Sequence, residues 1–306
     1  MEKVSRFFEQ KDENGIGNRE KIASRQKIIR RIATTDKNSS YEESTGSSDG
    51  LVVENGKLIG FGIHIFNEDI YPLQSFEIYL RGCDLTGTLD LSGQKDLLFV
   101  DVYHNRISEV IVNGDASLRI LGLQDNQISQ LDVKDLAACQ GIDAGKNRLS
   151  ELDVSENREL VELYVNDNCI ESMDLANCPK LKYFYCHNNR MTELDTRLNP
   201  LLRHLNAAGN PMKKILSLAP QREEALPLEL TAGEGGFVGL QYNPVYNAQW
   251  KETGEWRQTY YAYPEEGYCF KGWYGTDGKM VSDEEQWIDE YGSSRELRAV
   301  FEGKRS

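Results

Sequence analysis

The chain has 306 residues, 39% of them hydrophobic and 27% charged, which is enough for a packed core and about twice the usual domain length. Lys and Arg total 35 against 49 Asp and Glu, a net charge of −14, which argues against nucleic acid as a partner and against a polybasic membrane-surface protein. No apolar run approaches the ~18 residues of a bilayer-spanning helix, so no transmembrane segment is expected.

Residues 1–50 are expected to be a disordered or short helical N-terminal segment. They carry ten basic and nine acidic side chains, so the excess acid lies in the rest of the chain. The first 35 residues hold no apolar core of a secretory signal. That leaves two settings open: a cytoplasmic chain, or an exported one whose signal lies elsewhere. A basic helix is expected over 17–33 through Ile22, Ile28, Ile29 and Ile32, followed by a Ser/Thr/Asp/Gly-rich linker over 34–50. Residues 51–88, opening on a strand–turn–strand pattern (LVVENGKLIGFGIHIF), are expected to form the N-terminal cap of a solenoid.

A repeat fills residues 89–225. Asparagines stand at Asn105, Asn126, Asn147, Asn168, Asn189 and Asn210, each 21 residues from the last, without an insertion. The same apolar frame precedes them: Leu97, Val100, Val102; Leu118, Leu121, Leu123; Leu160, Leu163, Val165; Leu181, Phe184, Cys186. A second frame comes five and seven residues after each asparagine, as in Val110/Val112, Leu131/Val133, Leu152/Val154, Met173/Leu175 and Leu194/Thr196. Each coil thus divides into halves of ten and eleven residues, each with a period-2 pair fit for a short strand. One coil cannot bury its apolar edge alone, whereas stacked coils share a core. The asparagine column is then structural, with side-chain amides bonding the backbone where it turns. Cys139 and Cys186 take leucine positions and are expected in the core, where Ala144 and Ala207 thin it.

The pattern LxxLxLxxN over about residues 89–216 resembles the bacterial leucine-rich repeats with a nested half-repeat, the IRREKO class, and more loosely the internalin repeats. The resemblance implies a β-rich solenoid of parallel short strands in a right-handed coil. From about Leu226 the period stops, and all four tryptophans (Trp250, Trp256, Trp273, Trp287) lie beyond it. Turn residues Gly235–Gly236, Pro264, Gly267 and Asp277–Gly278 punctuate expected strands in a small β-rich module over 226–306. Leu230–Thr231–Ala232, Ala262, Tyr268, Phe270, Gly272, Trp273 and the closing Leu297, Ala299, Phe301 are similar to the divergent internalin-type B repeat, although the stretch from Leu240 to Thr259 is longer than that pattern. Tyr268, Phe270, Trp273 and Phe301 are expected in its core.

Catalysis is not expected. HExxH and Walker A motifs are absent, and Cys186 and His187, as strand neighbours, point to opposite faces. The six cysteines form no CxxC pair and read as free thiols. No cofactor is expected. Recognition is the better reading. The residues beside the inward-facing pair of each strand face solvent: Phe99, Asp101, Tyr103; Gln124; Asp143; Glu162, Tyr164, Asn166; Tyr183, Tyr185, His187; His204, Asn206. Tyrosine gives rigid contact area with a hydrogen-bonding tip, as interfaces favour, though β-propensity alone also places it on open sheet faces. The expected partner is a protein or glycan, bound by a monomer at a bacterial surface by resemblance to internalins. An intracellular scaffold is the alternative. A second column, Asp132, Asp153, Asp174 and Asp195, reads as a solvated acidic stripe, with a calcium-stabilised spacer as the sharper alternative.

Overall fold

The computed structural model describes residues 10–12, 14–18, 20, 52–54, 57–60, 76–94, 97–219, 226–246, 252–289 and 296–304. Apart from residues 17, 18 and 20, the expected basic helix and linker lie outside them, as does Trp250. The chain forms two compact units, Met1–Arg148 and Leu149–Ser306. Both contain stacked coils of a β-solenoid.

In the first unit, β1 (Val52–Glu54) and β2 (Lys57–Gly60) pair antiparallel. Next come β3 (Phe76–Tyr79), β4 (Thr86–Asp90), β5 (Leu97–Asp101), β6 (Arg106–Ile111), β7 (Ile120–Gly122) and β8 (Gly141–Asp143). Strands β3, β5, β7 and β8 are consecutive neighbours in a parallel ladder. Its register steps by one repeat, Phe99 to Ile120 to Gly141. The second half-frame gives the parallel pair β4–β6.

The second unit holds β9 (Glu162–Tyr164), β10 (Tyr183–Tyr185), β11 (Glu193–Asp195), β12 (His204–Asn206), β13 (Lys214–Ala219), β14 (Leu226–Ala232), β15 (Gly236–Tyr246), β16 (Glu252–Pro264), β17 (Tyr268–Tyr274), β18 (Met280–Ser282), β19 (Gln286–Asp289) and β20 (Glu296–Gly303). Strands β9, β10, β12, β15, β16 and β19 are consecutive neighbours in one sheet, while β11, β13, β14, β20, β17 and β18 form another. The last eighty residues therefore do not stand apart. Antiparallel pairing of β15 to β12 and of β14 to β13 continues both solenoid ladders into the C-terminal strands.

Every coil repeats the same devices. The frame positions are buried, among them Leu121, Leu163, Phe184 and Leu205 at 0% exposure. Each ladder asparagine ties two coils together. Asn126 Oδ1 accepts from Ile107 N at 3.0 Å, and its Nδ2 donates to Val102 O at 2.9 Å and Leu123 O at 3.0 Å. Asn147, Asn189 and Asn210 repeat this geometry. The residue before each asparagine (His104, Asp125, Lys146, Asp167, Asn188, Gly209) has a positive φ between 51° and 67°. That left-handed kink turns the chain off the strand so that the amide points inward. The arc back is two successive turns per coil, as in Leu136 N to Val133 O and Cys139 N to Leu136 O, both 3.0 Å.

Two expectations change here. No strand forms at Leu131–Val133, Leu152–Val154 or Met173–Leu175. Between those coils the chain makes single bonds such as Gln127 N to Ile107 O and then enters a turn, leaving too little straight backbone for a ladder. In the C-terminal strands Trp273 and Phe301 are buried, whereas Tyr268 and Phe270 are only half-buried on β17. Tyr242 and Tyr260, from β15 and β16, are the large aromatics that fill the core beside Trp273.

Candidate functional site

The open face of the second unit carries the densest cluster of the expected contact residues. Strand alternation sends Leu163, Phe184 and Leu205 into the core, so their neighbours stand on the other face. Registers then align those neighbours across strands: Tyr164 beside Tyr185, Tyr185 beside Asn206, and Glu162, Tyr183 and His204 in a parallel row. Tyr164 and Tyr185 meet edge to face, with centroids 5.2 Å apart. Tyr185 contacts His187 at 6.3 Å, and Tyr183 stacks on His204 at 4.4 Å with 19° between planes. Tyr164 Oη donates to Glu162 Oε2 at 3.3 Å, which fixes the phenol without covering its face.

Two of these residues are not exposed as expected. His204 is buried, because Tyr183 covers one side of its ring and the Tyr246 hydroxyl, 3.5 Å from Nε2, closes another. Asn166 is buried and donates to Asp167 Oδ2 at 2.7 Å. Burial holds both His187 and His204 below the ordinary imidazole value, against the pull of Asp167 on the first and of Asn243 and Glu252 on the second. His187 Nδ1 is buried and has no hydrogen-bond partner among the described residues.

The face does not end at the last repeat. Asn206 pairs with Gln241 of β15, Gln241 with Thr259 of β16, and Thr259 with Ile288 of β19. One row of aligned positions therefore runs Tyr164, Tyr185, Asn206, Gln241, Thr259, Ile288 across six strands, about 24 Å at the usual strand spacing, with Thr259 itself buried. Tyr261 Oη donates to Gln241 Oε1 at 2.8 Å, and Tyr263 Oη accepts from Gly209 N at 3.1 Å. Sequence reasoning missed these C-terminal members. The signal was the alternation in Thr259-Tyr260-Tyr261-Ala262-Tyr263, where Tyr260 and Ala262 are buried and Tyr261 and Tyr263 half-buried.

In the first unit the expected contact residues engage one another instead. Phe99 and Asp101 are buried at 7% and 0%, not exposed. Asp101 accepts from the Arg81 guanidinium and from Tyr103 N, and Arg81 lies 4.7 Å over the Tyr103 ring. The ring crosses Gly122, where an added Cβ would lie 2.6 Å from Cε1, and Tyr103 Oη donates to Asp143 Oδ2 at 2.6 Å. Side chains of coils about 4.8 Å apart close over positions with small residues, and that covers the neighbouring carboxylates. Burial raises Asp101 against Arg81, and raises Asp143 against the Tyr103 bond. Gln124 stays half-exposed.

The acidic column is exposed, and its carboxylates have a local task. Asp132, Asp153, Asp174 and Asp195 accept from the backbone N of Lys134, Ser155, Ala176 and Arg197 at 2.9–3.1 Å. These are Asx turns, the device that opens the return arc. Among the described residues no three His, Cys, Asp or Glu side chains are grouped to hold a metal ion. Cys186 lies fully buried and its thiol is raised far by that burial, whereas His187 stands half-exposed, so the two diverge.

No protein-family model and no curated protein matches the chain. Some solved structures are similar to part of the chain. The functional domain of InlJ from Listeria monocytogenes, which includes a cysteine ladder, is 21% identical over 41% of this chain and 35% of that one, with a TM-score of 0.36. The internalin InlF from Listeria monocytogenes is 21% identical over 42% of each chain, with a TM-score of 0.35. A leucine-rich-repeat protein of Leptospira interrogans is 15% identical over 42% of this chain and 50% of that one, with a TM-score of 0.31. The alignments thus span half or less of each of those proteins. No helix among the described residues is long and apolar enough to cross a membrane.

Proposed function

We propose that the protein is a non-catalytic binding protein that recognises a protein or glycan through the open sheet face of its second unit. The observation that carries this reading is the half-exposed cluster of Tyr164, Tyr183 and Tyr185, in which Tyr164 packs against Tyr185 and Tyr183 stacks on His204, flanked by Glu162, His187 and Asn206. Rings already held in place lose little freedom when a partner lands on them, so most of their contact energy is kept. The partner meets phenol, imidazole and amide groups in a row of few formal charges. By resemblance to internalin-type proteins the setting is a bacterial surface or exterior, with residues 226–306 as a B-repeat-like module.

The test is an unbiased capture with the full chain and with a variant carrying Tyr164→Ala, Tyr183→Ala and Tyr185→Ala. A specifically captured protein or glycan should lose at least tenfold in affinity for the variant. Equal affinity for a verified partner, with the variant's circular dichroism unchanged, would remove the reading.

A further inference from the structure

Near its N-terminus the chain makes a small structure of its own. Lys11 and Gly17 form an antiparallel bridge, Asn18 N bonds Gln10 O at 2.9 Å, and Asp12 N bonds Ile16 O at 3.0 Å. Asp12 Oδ1 accepts from Asn14 N and Ile16 N, and Gly15 turns with φ +77°. The result is a tight hairpin-like loop that holds Gln10 and Asn18 side by side.

Those two side chains land on the edge of β4 that faces away from β6. Gln10 Nε2 donates to Thr88 O at 2.7 Å while its Oε1 accepts from Thr88 N at 2.9 Å. Asn18 Nδ2 donates to Thr86 O at 3.0 Å while its Oδ1 accepts from Thr86 N at 3.0 Å. A side-chain amide has the donor and acceptor of a peptide group, and residues two apart on a strand turn their backbone groups to the same edge. Gln10 and Asn18 therefore replace a neighbouring strand. The backbone cooperates: Gly87, at φ +91°, lies so close beneath Gln10 that a Cβ there would sit 1.6 Å from Oε1. An uncovered strand edge is a template for pairing with another chain.

The loop and the edge are far apart in sequence, 68 residues for Asn18–Thr86 and 78 for Gln10–Thr88. With so long a connection, the same four bonds can form within one molecule or between two, which is the condition for swapping an element between copies. We propose that the β4 edge is an exchangeable docking site whose occupant is residues 10–18, supplied in cis by its own molecule or in trans by a second copy. The hairpin is then a latch that closes the solenoid edge and can also join two molecules.

Two variants separate the halves of the contact. Gln10→Ala with Asn18→Ala removes the latch and leaves the edge; Gly87→Ala blocks the edge and leaves the latch. Light scattering during gel filtration of an equimolar mixture of the two should show a 1:1 heterodimer that neither forms alone. Two separate species in the mixture, with native circular dichroism for both, overturn the proposal. Should Gly87→Ala fail to fold, a fluorescent peptide of residues 8–20 takes its place. Its anisotropy should rise with the latch-less variant at least tenfold more readily than with the unmodified chain, and the same peptide carrying both alanines should not bind. Equal binding to both proteins, or none, also overturns it.

Discussion

At the scale of single residues, two buried columns decide how the coils hold together. The ladder asparagines are not interchangeable with any other residue of similar size. Asn126 satisfies one backbone N–H and at least two carbonyls from two coils at once. Aspartate lacks the donor, and leucine lacks both groups. Asn126→Ala strands several buried backbone groups, each costing about 1–3 kcal/mol, so urea unfolding should show a loss of roughly 2–4 kcal/mol. By contrast Asp153→Asn keeps its exposed Asx turn and should stay within about 0.5 kcal/mol of the parent. The second column runs Asp115, Leu136, Asn157, Cys178, Asn199, all buried at the first turn of the arc. Asp115 is its only ionisable carboxyl. It accepts from Gln94 N at 2.6 Å, yet burial lifts it to about 6 from an ordinary value near 4. A carboxyl raised in the folded state favours folding most when protonated, below the unfolded value, and that contribution is lost as pH rises through about 6. Asp115→Asn copies Asn157 and Asn199 and removes the penalty. At pH 7.5 it should stabilise by on the order of 1–3 kcal/mol, and near pH 4 the two proteins should melt alike. A gain that persists at low pH would mean the cause is packing and not charge.

At the scale of elements, the sequence is legible where one short pattern recurs and opaque where two distant patterns meet. The 21-residue period places β5, β7 and β8 in register in the first unit and β9, β10 and β12 in the second, because every coil must present the same inward residues to its neighbour. It overstates the second half-repeat, since the Leu-Asp-Val triplets look like strands but neighbouring coils share only single bonds there before the chain turns. It gives no sign that Gln10 and Asn18 cover β4, because a pairing by two side chains has no periodicity. Nor does it show that Asp101 is buried: its carboxylate is met by Arg81, which reaches across from the preceding coil. The join of β15 to β12 is of the same kind. Tyr242 of β15 is opposite Leu205 and fully buried, with its phenol beside the Thr196–Ser217 hydroxyl pair of the second half-repeats. One side chain from the C-terminal hairpin thus plugs the end of the repeat core. Tyr242→Ala should cost about 3–5 kcal/mol, the range for emptying a buried aromatic site, and should free the hairpin before the coils unfold. Hydrogen exchange would show this as lost protection in β15 and β16 while β9 and β10 remain protected. Uniform loss across all four would show that the second unit melts as one.

At the scale of the whole molecule, the sequence carries a net charge of −14, whereas the six-strand row of the second unit holds no charged side chain. Acid is distributed by the repeat period along the turns, where the carboxylates bond backbone and repel each other by less than about 1 kcal/mol per stacked pair in water. The row from Tyr164 to Ile288 is uncharged, so partner affinity there should depend on ring contact and amide geometry more than on ionic strength. Strand pairing also bears on residues 226–306. A solenoid must cover its last coil, because a bare terminal strand exposes both an apolar strip and unpaired backbone. Here β15 covers β12 and β14 covers β13, and the buried Leu205, Met212 and Ile215 line the seam. If residues 226–306 were only a spacer, a chain ending at residue 225 would remain a soluble, cooperatively folding repeat protein. The pairing predicts otherwise. Removal of residues 226–306 should leave a chain that elutes in the void volume or precipitates, and adding charge at the bared strand, as in Leu205→Lys, should partly restore solubility without restoring the binding row. A monodisperse truncated chain with the parent's melting temperature would show that the repeats close on themselves and that the C-terminal strands are attached to the recognition face without supporting it.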